Sequence, residues 1–457
     1  MEEAFLDLLW KKVDLPDFGV NDDMPEIPKD IYTNRANELY KRSAKKWVVV
    51  YGDREHFANL HYLTEFDPRF EEAILVLGPE EKRYLLVGNE GLMYKSVAKL
   101  DAEVILYQSF SLLGQDRSNS LKLTEILKNI GFAKGDSVGV CGWKYAEGET
   151  KEDFAEFYVP AFLIDSIKYV IGDEEGIEDV TPILMHPTKG LRAHNEVEQI
   201  VAFEWAAARA SKALLNIVRS TEIGVSEFEA VSKMGYAGEP LTTHVMYASG
   251  KDKIVGLRSP SSKIVEEGDA IFTAFGYRGG LSARGGLAEK ENQVFLDKWA
   301  IPYFKGIVTW YESVKVGSVG GEVYEKVVEV MEEGGLRPAL NPGHLTGVDE
   351  WLHTNFRPGS QEKVSSGMAI QCDIIPEPMP NGINLNCEDS VIIADKQLRK
   401  DLEVKYPDVW ERIKARQEFM RNELGINVSD DILPTSATPG YYAPLFLSPD
   451  FVLTVNR

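Results

Sequence analysis

At 457 residues the chain exceeds what one ordinary hydrophobic core organises, so at least two domains are expected. An excess of 72 acidic over 50 basic side chains, a formal charge of −22, disfavours nucleic-acid and anionic-membrane partners. Three scattered cysteines, Cys141, Cys372 and Cys387, make neither a disulfide framework nor a paired-thiolate zinc site. With an acidic N-terminus that lacks an uninterrupted apolar run, they lead us to expect a cytoplasmic protein.

In chain order, residues 1–190 alternate short β-rich runs with helical stretches. The runs are WVVVYG, EEAILVLG, RYLLVGN, AEVILY, DSVGVCG and KYVIG, and helices are expected at 31–44, 120–130 and 151–167. This alternation reads as an α/β domain. HPTKGLR, 186–192, reads as a linker. A long Ala-rich helix is expected over 194–220, with Asn195 as N-cap and Glu198 at the capping-box position. Further helices are expected at 290–315, interrupted near Pro302, and at 321–334, where Val323, Val327, Val330 and Met331 form a stripe. Strand pairs lie between and after them, so 191–430 reads as an α+β domain. The proline-rich, aromatic end, 431–457, is expected to cross the surface as an extended tail.

Two hairpins predict which side chains meet. In SGMAIQCDIIPEPMPNGINLNCEDSVIIA, a turn centred on Pro380 and Asn381 sets Asp373 opposite Glu388. Two carboxylates facing each other from apolar strands raise each other's apparent pKa and suit proton transfer or cation binding. Alternation puts Cys372 and Cys387 on the other face, as core residues. In EGDAIFTAFGYRGGLSARGG, a Gly279–Gly280 turn would set Ala274 opposite Gly285. No phosphate-loop motif is present in it.

The order long helix, GKDKIVGLRSPSSKIVEEGD, glycine hairpin, PGH segment, then GM and an acidic hairpin ending in ED resembles the pita-bread family of aminopeptidase P, prolidase, methionine aminopeptidase and creatinase. FANLHYLTEFDPRFEEAILVLGPEEKRYLLV is similar to the creatinase-type N-terminal domain, and the resemblance spans roughly 40–395. It implies a creatinase-like α/β domain over 1–190 followed by an α+β pita-bread domain over 191–430. Peptidases of the family hold two divalent metals with two aspartates, a histidine and two glutamates. The histidine falls on His344 and the glutamates on Asp373 and Glu388, while the aspartates fall on Ala274 and Gly285. A dinuclear centre is therefore not expected. No metal or other cofactor is expected beyond, at most, one weakly held divalent ion at the three remaining ligands.

Creatinase works without metal, but its basic histidine falls on Leu257 here, so its mechanism does not transfer either. Arg258 and Arg284 flank the altered positions; by alternation Arg284 points away, which leaves Arg258 to meet a substrate. A further family histidine falls on Trp351, with His353 close by, and creatinase-like dimers imply Phe66 and Arg69 as contacts from the partner's N-terminal domain. His244 reads as a satisfied core histidine.

The reading is a hydrolase homologue acting on a C–N bond of a small molecule or short peptide, as a homodimer, without a two-metal centre. His344, Asp373 and Glu388 are its catalytic candidates, and Arg258, His353, Phe66 and Arg69 its substrate-binding ones. The alternatives are a non-catalytic homologue that binds a peptide, small molecule or protein in the cleft, and a metal-dependent Xaa-Pro peptidase with substituted ligands.

Overall fold

The computed structural model describes residues 6–146, 157–172, 175–254 and 256–457. The chain divides into two compact units, Ile27–Ala193 and a second built from Met1–Glu26 with His194–Arg457.

The Ile27–Ala193 unit is organised on a six-stranded mixed sheet. Trp47–Gly52 lies beside Ala73–Leu77 in antiparallel fashion and beside Val138–Cys141 in parallel, with Ile177–Asp179 outside it. Arg83–Val87 and Glu103–Leu106 complete the other side. Trp47 is a core residue whose ring stacks on Phe132 at 4.3 Å, and its indole N–H reaches Asp136 at 2.9 Å, so the buried donor is satisfied. Five of the six expected β runs are strands. KYVIG is instead the end of the Ala161–Ile171 helix: Leu163, Ile164, Ile167, Val170 and Ile171 recur at helical spacing and are all buried. Most of the expected helix at 151–167 falls on 151–156, outside the described residues, or on the start of this helix.

The second unit carries the seven-stranded antiparallel sheet that positions the site. Across it run His344–Leu345, Ala369–Cys372, Asn386–Ile393, Gly280–Leu287, Ala270–Tyr277 and Leu241–Gly250, and Ile432–Pro434 adds to Asn386–Ile393. The Val197–Arg219 helix packs on the central strands, and Gly280 passes so near Ala207 that a Cβ there would meet the Ala207 Cβ at 2.5 Å. The helix begins at Val197 with Glu196 as N-cap, one residue later than expected, because the Asn195 side chain donates to Gly367 O instead. The interruption near Pro302 is a wide π turn, Leu296–Ala300, immediately ahead of the Ile301–Ser313 helix. The Val323 stripe lies on Gly320–Glu332, with Val323, Val327 and Met331 buried.

Two boundaries differ from expectation. The first 26 residues belong with the second unit, because Leu8–Lys12 pairs antiparallel with Phe451–Val455 and Trp205 donates to Asn21 O. The 431–457 segment is not a surface tail. Its aromatics Tyr441, Tyr442 and Phe446 are buried, and Ser436, Thr438 and the Gly440 amide donate to the buried Asp389 carboxylate. Arg284 closes this arrangement with a 2.9 Å ion pair to Asp389 and hydrogen bonds to Thr438 O and Tyr441 O.

Removing one partner of such a pair strands a buried charge, so Asp389→Ala is expected to cost ~3–5 kcal/mol in urea denaturation. A loss under about 1 kcal/mol would show that the segment is held mainly by its aromatics.

Candidate functional site

Register places the acidic pair. Cys372 lies opposite Asp389, and continuing that ladder by one residue sets Asp373 opposite Glu388, as expected from the sequence. The connection between them is longer than a tight turn and includes a short pairing of Pro376–Glu377 with Arg337–Pro338. Tyr303 holds the strands together where they separate: its hydroxyl accepts from Cys387 N at 2.8 Å and donates to Ile374 O at 3.0 Å. Those backbone groups are immediate neighbours of Glu388 and Asp373. Cys372 and Cys387 are fully buried free thiols, pushed up by burial, and belong to the core behind the pair.

His344 sits on the two-residue strand opposite Gln371 and is completely buried. Its Nε2 is 3.8 Å from Asp373 Oδ2 and 4.0 Å from Glu388 Oε1. A third acid, unassigned from the sequence, is nearer: Glu350 Oε1 stands at 3.0 Å, ion-pair distance without hydrogen-bond alignment. Trp351 stacks on the imidazole with ring centroids 4.2 Å apart and remains partly exposed. On its other nitrogen, His344 Nδ1 lies 3.2 Å from Leu345 O. Asp349 and Glu350 both follow the histidine in sequence, but a loop has no periodicity from which to tell which one turns back.

Burial pulls the His344 pKa down, and Glu350 with Asp373 outweighs it, leaving the imidazole above its ordinary value. Burial lifts Asp373 to about 6 against the pull of His344. Glu388 is raised well above the carboxylate range by burial and then by Asp373, although Gln371 donates to its Oε1 at 3.2 Å. Burial and the charges these groups place on one another thus raise the proton affinities of His344, Asp373 and Glu388 together.

The opposite half of the site is apolar. Glu388 faces Ala283, Ala283 faces Ala274 and Ala274 faces Met246, a row crossing four strands, with Leu281 in the same cluster. The glycine hairpin register differs from expectation by two residues. Its turn is Arg278–Gly279, with Gly279 at φ +113°, so Ala274 pairs with Ala283 and Gly285 with Phe272. Ala274 and Gly285 therefore share a face without lying opposite each other, and neither supplies a ligand.

His344, Asp373 and Glu388 each offer an atom within 4.8 Å of the others, and His344 Nε2 and Asp373 Oδ1 are buried without a hydrogen-bond partner. These three fit one divalent ion. They do not fit two, because the positions that would offset the second charge are Ala274 and Gly285.

The substrate-binding candidates fare differently. Arg258 is committed: its guanidinium makes a bidentate pair, 2.8 and 2.6 Å, with buried Glu227, which Ser249 and Ser261 also hold. A guanidinium locked onto a buried carboxylate is not available to a substrate. Arg284 turns to the opposite face, as alternation required. Phe66 is a core residue of the Ile27–Ala193 unit, 2% exposed and packed near Tyr94; the exposed aromatic of EFDPRF is Phe70. Arg69 pairs with Asp67 at 2.6 Å in that unit. His353 bridges to Leu345 beside the His344 strand, and its Nδ1 accepts from Thr354 N at 2.8 Å. His244 is exposed, not core, and its Nε2 lies 2.9 Å from Leu257 O.

A folded pKa above the free value means that the His344 interaction stabilises the protein fully below pH 6.5 and is lost as pH rises through the folded value. Glu350→Gln is expected to lower the His344 titration midpoint followed by NMR and to flatten this part of the stability profile. An unchanged midpoint would remove Glu350 as its partner.

No family model and no curated protein matches the chain. Among solved structures it is similar to a prolidase from Pyrococcus horikoshii OT3, with TM-score 0.62, 16% identity and coverage of 79% of this chain and 95% of that one. It is similar also to an Xaa-Pro dipeptidase from Bacillus anthracis, with TM-score 0.61, 16% identity and coverage of 80% and 96%. A third is an X-Pro aminopeptidase from Thermotoga maritima MSB8, with TM-score 0.61, 14% identity and coverage of 80% and 95%. The chain has the pita-bread fold of these structures.

Proposed function

We propose that this pita-bread chain is a hydrolase acting on a C–N bond of a small molecule or short peptide, without a two-metal centre. The observation that carries the reading is the one-sided site: His344 surrounded by Glu350, Asp373 and Glu388, facing the Met246–Ala274–Ala283 row. His344 donates to the oxygen on which charge develops, Asp373 takes a proton from attacking water, and Glu388 returns one to the leaving nitrogen. A divalent ion bound by His344, Asp373 and Glu388 would act as a Lewis acid toward the same carbonyl. The metal-dependent Xaa-Pro reading stands behind this one because Ala274 and Gly285 offer no ligand atoms.

We place the enzyme in the cytoplasm as a homodimer. Three buried free cysteines suit a reducing compartment, and among the described residues no helix is long and apolar enough to cross a membrane. The dimer rests on the creatinase resemblance, and contacts for His353 and Arg69 with substrate belong to this proposal.

The test is a screen of amide, amidine and Xaa-Pro substrates with chelator-treated protein, together with metal analysis. Turnover is expected to survive the chelator and to fall ~100- to 10,000-fold in His344→Ala. Two tightly held ions per chain with Xaa-Pro cleavage would overturn the reading. A second reading, binding without turnover, is favoured by the apolar row, which offers nothing to hold a nucleophilic water; ligand binding with no turnover on any C–N substrate would establish it.

A further inference from the structure

Glycine at 285 does not leave bare backbone facing the site. A Cβ there would lie 2.2 Å from Asn384 Oδ1, so the Asn384 carboxamide fills the place a side chain on 285 would take. Asn386 pairs with Gly285 across the sheet and shares a strand face with Glu388 two residues on. Asn384 Oδ1, Asn386 Oδ1 and Asp373 Oδ1 are all buried acceptors that receive no hydrogen bond from the protein, and Asn386 is only 3% exposed.

Buried acceptors normally have donors. With Asn386 on the Glu388 face of its strand, Asn384 Oδ1 over Gly285 opposite it, and Asp373 next to Glu388 beyond the end of its own strand, these acceptors match a group that brings several N–H bonds and no lone pair. Beside them run Met246, Ala274 and Ala283, with Phe272 packed against that row. A hydrated metal ion would turn its remaining waters onto this apolar strip, whereas an organic cation would lay methylenes on it. Arg258 and Arg284, the arginines flanking the altered positions, are consumed by Glu227 and Asp389, so neither is left to receive a carboxylate.

We infer that Asn384, Asn386 and Asp373 form a subsite for the primary ammonium group of an alkylamine ligand. This rests on the His344 cleft being a small-ligand site, and it narrows the substrate class to amine-bearing compounds whose hydrocarbon arm lies along Met246, Ala274 and Ala283.

The full chain, treated with chelator, is titrated calorimetrically with n-butylammonium, tetramethylammonium and butyrate. Butylammonium is expected to bind saturably, tetramethylammonium, equal in charge but without N–H donors, roughly tenfold or more weakly, and butyrate not at all. Asn386→Ala and Asn384→Ala, each checked by thermal melting, are expected to weaken butylammonium about tenfold; either variant suffices if the other does not fold. Equal binding of the two cations, indifference to both substitutions, no saturable amine binding, or Mg²⁺ binding that depends on the same asparagines and displaces the amine would each overturn the inference. Amine binding without turnover counts against hydrolysis alone. Turnover without asparagine-dependent amine binding counts against this subsite alone.

Discussion

The antiparallel ladder between Ala369–Cys372 and Asn386–Ile393 determines what every neighbouring residue in the second unit can do. Because side chains alternate, one register places Asp373 and Glu388 on the front face and, on the back, Cys372, Cys387 and Asp389. The front must tolerate buried acid, and it does so through His344 beside Asp373 and the Gln371 hydrogen bond to Glu388. The back anchors the chain, with Asp389 taking Arg284 and the 436–440 segment. A slip of one residue would exchange these faces, putting Asp389 into the cleft and Glu388 against Arg284. Tyr303 guards the point where such a slip would start, since it bonds the backbone on both strands beyond the last ladder pair.

The two halves of the cleft illustrate how far a protein interior tolerates charge. On one side, burial and the surrounding charges, Glu350 among them, raise the proton affinities of His344, Asp373 and Glu388. On the other, the sheet presents small aliphatic side chains, so nothing there needs compensating. Along the strand from Glu388 lie carboxamides, neutral at any pH and able to accept hydrogen bonds without adding to the negative charge. Asn384 and Asn386 thereby contribute oxygen atoms next to an already acidic cluster at far lower electrostatic cost than aspartates would.

Much of this was legible in the sequence where periodicity or register controlled the outcome. The Asp373–Glu388 pairing followed from strand alternation and held even though the intervening connection is long. The order of motifs led to the fold. What failed lay where several local solutions compete. Arg278–Gly279 and Gly279–Gly280 are both acceptable turns, and the close approach of the Val197–Arg219 helix at Gly280 decides between them. KYVIG has strand composition, yet the residues preceding it make a helical stripe. Arg258 read as free because Glu227, its partner, lies 31 residues earlier on another element. Glu350 was visible only as an acid near a histidine, and Phe66 and Phe70 could not be ranked without knowing which of them is buried.

The pairing of Leu8–Lys12 with Phe451–Val455 has a consequence during synthesis. The Ile27–Ala193 unit is continuous and can acquire its core while later residues are still being translated. The other unit is interrupted by it: its first strand emerges early and must wait, unpaired, for a partner more than 400 residues downstream. Arg284 waits as well, because Asp389 and the carbonyls of Thr438 and Tyr441 emerge long after it. Synthesis interrupted before Phe451–Val455 emerges would therefore leave Leu8–Lys12 without its partner strand, while every residue of the Ile27–Ala193 unit has already been made.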